Sequence, residues 1–150
     1  AHERILFHSL SAGEEMRERT ILAIPLDLTL HPSEMERVRE LWESLERMGF
    51  SMQTRGETLL VSHIPALLGP AEAKSFLREV LGGEEPDLRE LYALMACKGA
   101  IKAGTPLAEA EAIALVEQWF RTPDRQHCPH GRPIALSWSR AELEKLFKRT

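Results

Sequence analysis

The sequence predicts an α/β fold of two lobes, and three of its features support that prediction. The segment HPSEMERVRELWESLERMGF has apolar residues at helical spacing, and the segment TILAIPLDLTL has the alternating, β-branched composition of a strand. The segment GGEEPD marks a break in composition typical of a linker, and the hydrophobic patterns beyond it are mainly helical. With 150 residues, of which 43% are hydrophobic, the chain has enough apolar material to bury a core.

The chain opens with a predicted helix. Ile5, Leu6 and Leu10 recur at helical spacing, and Gly13 is expected to end the helix near residue 12. The strand TILAIPLDLTL follows. Pro25 indicates that this strand is at an edge or contains a bulge, because proline cannot donate a hydrogen bond to a neighbouring strand.

The next segment gives the strongest helix prediction. Ser33 and Glu36 match the spacing of a capping box, and Gly49 is expected to end the helix. Its apolar stripe consists of Met35, Val38, Leu41, Trp42, Leu45 and Met48.

Two short strands and a helix are predicted to complete this lobe. The segment FSMQTRGETLLVSHIP indicates strands that turn near Gly56, and PAEAKSFLREVL indicates a helix that ends at Gly82. Together these elements form a β-α-β-β-α lobe over residues 20–82.

The part beyond GGEEPD is predicted to be mostly helical. LRELYALMACKGAIKAG indicates a helix that ends at Gly104, and Thr105 and Pro106 supply the N-cap and first turn of the helix LAEAEAIALVEQWF. PIALSW indicates a short strand. Ser139 and Glu142 then match a capping box at the start of the last helix, RAELEKLFKRT.

Composition and charge narrow the classes of function. The formal net charge of −4 argues against a broad basic face for DNA, although basic residues cluster locally at 98–102 and 145–149. Two cysteines without a CxxC pair suit a protein of the reducing cytoplasm. The sequence shows no apolar run long enough to span a membrane and no visible signal peptide. The opening AHERILF, without an initiator Met, leads us to expect that the chain is part of a longer protein.

The segment QHCPHGRP is the candidate site that residue chemistry indicates most directly. If it is extended, Cys128 and His130 project from the same face, and thiolate with imidazole favours zinc. The prolines and glycine are equally typical of a turn that binds nothing, and Cys128 could instead form a disulfide. Spacing alone leaves these three interpretations open.

Four segments in order, AHERILF, ACKGAIKAG, CPHGRP and LFKR, resemble the C-terminal domain of bacterial MutL, the mismatch-repair family, in its endonuclease-bearing form. The resemblance covers nearly the whole chain. It implies a dimerisation and metal-site lobe formed by residues 1–19 and 83–150, interrupted by residues 20–82 as a regulatory lobe. It also implies metal-dependent nicking of one DNA strand.

The resemblance also implies roles for individual residues. Glu3 matches the first glutamate of the family motif DQHA-x-x-E-x-x-x-x-E, while His8 replaces the second. Glu3, Cys128 and His130 would hold the metal, with zinc in a structural or regulatory role and manganese in catalysis. Lys98 of ACK and Arg149 of F-x-R would face the phosphate, and Glu3 would be catalytic as well as a ligand. Without the family, Glu3 and Lys98 would be interpreted as surface side chains.

The expected partners are a second copy of the chain, DNA and other mismatch-repair proteins. Family members that bind the sliding clamp carry a Q-x-L-L-x-P-like segment where this chain has Thr20, Leu22, Ala23 and Pro25. The Gln is missing, so a plain edge strand is the better default for this segment. The replacement at His8 also keeps open a second function, a non-catalytic dimerisation and protein-docking module.

Overall fold

The computed structural model of the protein describes residues 1–13, 18–84 and 86–148. It confirms the α/β class. In chain order the elements are α1 (His2–Ala12), β1 (Arg19–Thr29), α2 (Pro32–Arg47), β2 (Ser51–Arg55), β3 (Thr58–Pro65), α3 (Pro70–Gly82), α4 (Leu88–Gly99), α5 (Glu109–Arg121) and α6 (Arg140–Leu146).

The three strands form one antiparallel sheet in the order β1-β3-β2, so β1 is an edge strand. Strands β2 and β3 turn at Gly56, whose φ of +60° favours glycine. The pairing of β1 with β3 shifts register between Ile21 and Leu26, so Pro25 lies in an irregular part of an edge strand. The prediction of an edge or a bulge at this proline is therefore confirmed.

Helix α2 begins earlier than the sequence pattern predicted. The capping box predicted at Ser33 and Glu36 is wrong, because the N-cap is His31 and its capping partner is Glu34. The Nδ1 atom of His31 accepts the N–H of Ser33 at 3.3 Å, and the N–H of His31 donates to Glu34 Oε2 at 2.7 Å. Pro32 occupies the first helical turn, where its missing N–H costs nothing, so the helix starts there.

The core lies between the sheet and helices α1 to α4. Phe50 and Phe76 stack at its centre with ring centroids 5.6 Å apart, and both side chains are fully buried. Leu6 and Leu10 of α1 join this core, and α1 packs against α4 although the sheet, α2 and α3 separate them along the chain. This packing is what an inserted lobe over residues 20–82 requires. The lobe boundaries stay a prediction, and both Glu85 of the GGEEPD linker and residues 14–17 lie outside the described residues.

Helix α4 ends at Gly99 rather than at the predicted Gly104, and Ala100 is already extended. The cause is a contact from α1: the N–H of Ile101 donates to His2 Nδ1 at 3.0 Å instead of to a helical carbonyl. The ammonium of Lys102 folds back onto the open end of the helix and donates to the carbonyls of Cys97 and Lys98.

The predicted start of α5 at Thr105 and Pro106 is also wrong, because its N-cap is Ala108. The carboxylate of Glu111 accepts the N–H of Ala108 at 2.8 Å, whereas the N–H of Thr105 donates to Lys102 in the preceding turn. The turn after α4 therefore occupies the residues that the sequence assigned to a new helix.

The segment PIALSW is not a strand. Within residues 86–148, Pro133 forms only an isolated bridge with His127, and residues 135–139 have no regular structure. Leu136 and Trp138 are more than half exposed. The cap of α6 by Ser139 and Glu142 is confirmed. Across the described ranges of the chain, no helix is long and apolar enough to cross a membrane.

Candidate metal centre

Residues 126–134, which we call the Cys-His loop, form a tight hairpin. The N–H of Ile134 donates to the carbonyl of Gln126, the N–H of Cys128 to that of Arg132 and the N–H of Gly131 to that of Cys128, each at 2.9 Å. Gly131 has a φ of +82°, a conformation that side chains disfavour. Cys128 therefore pairs with Arg132 across the hairpin, and His130 lies in the turn between them and not on an extended strand.

The hairpin places its two candidate ligands against α1. One ligand atom each from Glu3, Cys128 and His130 lies within 4.8 Å of the other two. His130 Nδ1 lies 2.8 Å from Glu3 Oε1, and the side chain of His130 is 48% exposed, so solvent reaches the group. The structure thus brings together the three residues that the sequence predicted as ligands.

The chemistry of these three side chains fits a borderline-soft ion such as zinc. Thiolate, imidazole and carboxylate are the ligand types that zinc takes in proteins. The Cys128 sulfur also accepts the N–H of Arg132 at 3.3 Å, which ties the side chain to the opposite strand of the hairpin. Both cysteines, each among the described residues, are free, so the disulfide interpretation is wrong.

Arg4 holds the Cys-His loop to α1, a role that the sequence analysis missed. Its side chain is buried, and its guanidinium donates to the carbonyl of His127 at 2.6 Å and to that of Cys128 at 3.0 Å. The one signal in the sequence was the position of Arg4, a charged residue directly before the apolar Ile5 and Leu6 on the same helix. His127 itself is exposed.

The imidazole of His2, beside Glu3 in sequence, also has a structural partner. Burial lowers the pKa of His2, which favours the neutral ring that accepts the N–H of Ile101 through Nδ1. This bond ties the start of α1 to the segment that leaves α4. His8, which replaces the second glutamate of the motif, is exposed.

Lys98 contacts α3. Its ammonium lies 2.6 Å from Glu79 Oε2 and donates to Ser75 Oγ at 3.0 Å. Glu79 and His130 both line a cleft of about 500 Å³ that runs between α3, α4 and the Cys-His loop. The carboxylate that engages Lys98 therefore faces the same space as one of the three candidate ligands. Arg149, the other residue predicted to face the phosphate, lies outside the described residues.

A second candidate functional feature is an apolar face on α5. Within the part of the chain that the structure describes, α5 buries none of its side chains. Ile113, Val116 and Phe120 recur at helical spacing on it and are 53%, 47% and 57% exposed. An apolar stripe of this kind is typical of a surface that another protein covers.

Comparisons with known proteins agree on one family. A family model described as the MutL C terminal dimerisation domain matches residues 1–107. Proteins named DNA mismatch repair protein MutL are similar to the chain over its whole length. That of Syntrophomonas wolfei is 36% identical over 99% of this chain and 27% of its own length. That of Heliobacterium modesticaldum is 36% identical over 100% of this chain and 24% of its own length. That of Azotobacter vinelandii is 37% identical over 99% of this chain and 25% of its own length. The chain therefore spans about a quarter of the length of these relatives.

Proposed function

This chain belongs to the MutL family of DNA mismatch repair proteins, in which it corresponds to the C-terminal dimerisation domain, and we propose that it forms a homodimer and nicks one strand of DNA with a bound metal. The convergence of Glu3, Cys128 and His130 from the two ends of the chain supports the nuclease most directly. These three residues would hold a zinc ion in a structural or regulatory role. A manganese ion in the catalytic role would draw on the carboxylate of Glu3, since it prefers oxygen ligands.

A metal ion held there would supply an activated water and charge neutralisation on the phosphate. The protein's own contribution is orientation. The Cys-His loop fixes the thiolate and imidazole, and Glu3 accepts the hydrogen bond of His130 when Nδ1 is protonated. The half-exposed imidazole leaves the centre open to a DNA backbone.

Lys98 is the residue we propose to contact the scissile phosphate together with Arg149. Its ammonium now binds Glu79, so a phosphate must compete with that carboxylate for it. The Glu79 side chain is more than half exposed, so water can solvate its carboxylate when a phosphate takes its place. Glu79 would in this way couple the regulatory lobe, residues 20–82, to the nuclease in residues 1–19 and 83–150.

The homodimer is proposed to form through the segment that contains α4 and α5. Helix α4 uses Leu91, Met95 and Ala96 inside the core, so the apolar face of α5 supplies the surface for the second copy. DNA and other mismatch-repair proteins are the further partners that we propose, in the cytoplasm. The exposed Ile21 and Ile24 lie on the β1 edge, in the segment where the family resemblance would place a clamp-binding motif, and the missing Gln makes clamp docking the weaker candidate there.

Substitution of the loop ligands tests the nuclease. Cys128→Ser and His130→Ala are expected to weaken zinc binding and to abolish manganese-dependent nicking of supercoiled plasmid, while the fold and the dimer persist. Unchanged nicking by both variants would reject the site.

The alternative function is a non-catalytic dimerisation and docking module, and His8 at the position of the second motif glutamate favours it. The metal content of the purified protein, measured before and after chelation, separates the two functions. A stably metal-free protein that binds neither zinc nor manganese would favour the docking module.

A further inference from the structure

Arg4 makes two hydrogen bonds from α1 to the backbone of the Cys-His loop. Its Nε donates to the carbonyl of His127 at 2.6 Å and its Nη2 to the carbonyl of Cys128 at 3.0 Å. The side chain is only 9% exposed, and its guanidinium lies 5.5 Å from the centre of the Phe7 ring. A buried guanidinium is fixed in direction by its fork of donors, so these contacts define a single geometry.

The two carbonyls belong to the two peptide groups that flank the Cα atom of Cys128. Holding both peptide groups restrains the φ and ψ angles of Cys128, and these angles set the direction of the Cα–Cβ bond that carries its sulfur. The same helical turn that carries Arg4 carries Glu3. One anchor therefore restrains how far the backbone of Glu3 on α1 lies from the backbone of Cys128 on the loop.

We propose that Arg4 is a positioning residue of the metal centre, which orients the Cys128 thiolate toward Glu3 and His130 without touching the metal. The inference rests on the proposed metal site. Groups that orient metal ligands from outside are known to affect affinity strongly, since an ion binds a preformed set of ligands better than a mobile one. An arginine suits this task better than a lysine, because its planar fork reaches two carbonyls at once.

The competing interpretation is that Arg4 only stabilises the fold, and metal affinity separates the two. Arg4→Met keeps the apolar stem and removes every donor, while Arg4→Lys keeps the charge but cannot bridge both carbonyls. Arg78→Met is the matched control. Arg78 also donates to a backbone carbonyl, that of Thr29 at 3.0 Å, on the side of the fold formed by α3 and β1.

Zinc affinity is measured for each variant by competition with a chromophoric chelator. In a second measurement cobalt replaces zinc, and the thiolate-to-cobalt absorption band reports whether the Cys128 sulfur binds the ion. We expect Arg4→Met to weaken zinc binding roughly tenfold to a hundredfold and to weaken the cobalt band. Arg4→Lys should lose less zinc affinity than Arg4→Met, and Arg78→Met should bind zinc as tightly as the unchanged chain does. Melting of the metal-free proteins records any general loss of stability.

Cys128→Ser, measured in parallel, keeps the two proposals distinguishable. If Cys128→Ser binds zinc normally, the metal site itself is wrong. If Cys128→Ser loses zinc while Arg4→Met and Arg4→Lys retain full affinity and an unchanged cobalt band, the site stands and the positioning role is overturned. Should Arg4→Met fail to fold, Arg4→Lys decides alone, and an affinity equal to that of the unchanged chain overturns the inference.

Discussion

Replacement of Ile113 by alanine tests the homodimer surface proposed on α5. The side chain of Ile113 is 53% exposed, so a partner that covers α5 would bury about half of it. Full burial of an isoleucine side chain stabilises a fold or an interface by about 1.5–3 kcal/mol. Burial of the exposed half of Ile113 at the dimer interface therefore corresponds to about 0.8–1.5 kcal/mol. A twofold interface contains Ile113 twice, so Ile113→Ala is expected to weaken the dimer by about 1.5–3 kcal/mol.

This loss corresponds to a dimer dissociation constant raised roughly 10- to 150-fold. Sedimentation equilibrium of the unchanged chain and of Ile113→Ala measures it directly. Ile24→Ala is the control, since Ile24 is 83% exposed on the edge strand β1 and outside the proposed surface. Equal dissociation constants for Ile113→Ala and the unchanged chain, or a chain that is monomeric at micromolar concentration, would refute the assignment of α5 to the interface.

Three further perturbations test the site and the core. Glu79→Gln releases Lys98, so we expect DNA to bind a few-fold more tightly in fluorescence anisotropy at low salt, and an unchanged affinity would contradict the proposed phosphate contact. Zinc should raise the melting temperature of the chain because it binds only the folded state, and this rise should shrink in Cys128→Ser; an equal rise in both would place the zinc elsewhere. Phe76→Ala should lower the free energy of unfolding by about 3–5 kcal/mol in denaturant titrations, because Phe76 is fully buried against Phe50. A loss below about 1 kcal/mol would mean that this stack is not central to the core.

The sequence by itself determined the elements whose signals are local. The apolar stripe of α2, the turn at Gly56 and the cap of α6 by Ser139 and Glu142 each depend on residues within a few positions of one another. The separated motifs also determined the family, since several of them in register are far more specific than any one. Spacing within QHCPHGRP identified Cys128 and His130 as residues to examine, but it could not decide among metal, disulfide and turn.

The tertiary structure decided whatever depends on contacts between distant parts of the chain. Helix α4 stops at Gly99 because His2, far away in sequence, takes the N–H that would have continued it. PIALSW fails as a strand because no neighbouring strand is present to accept its hydrogen bonds within the described residues. Glu3 meets His130 of the Cys-His loop, and Arg4 reaches the carbonyl of His127 across 123 positions, in a fold in which α1 packs against α4. Local patterns arise from the chain's own geometry over a few residues, whereas a site of this kind exists only after the core has set which distant surfaces face each other.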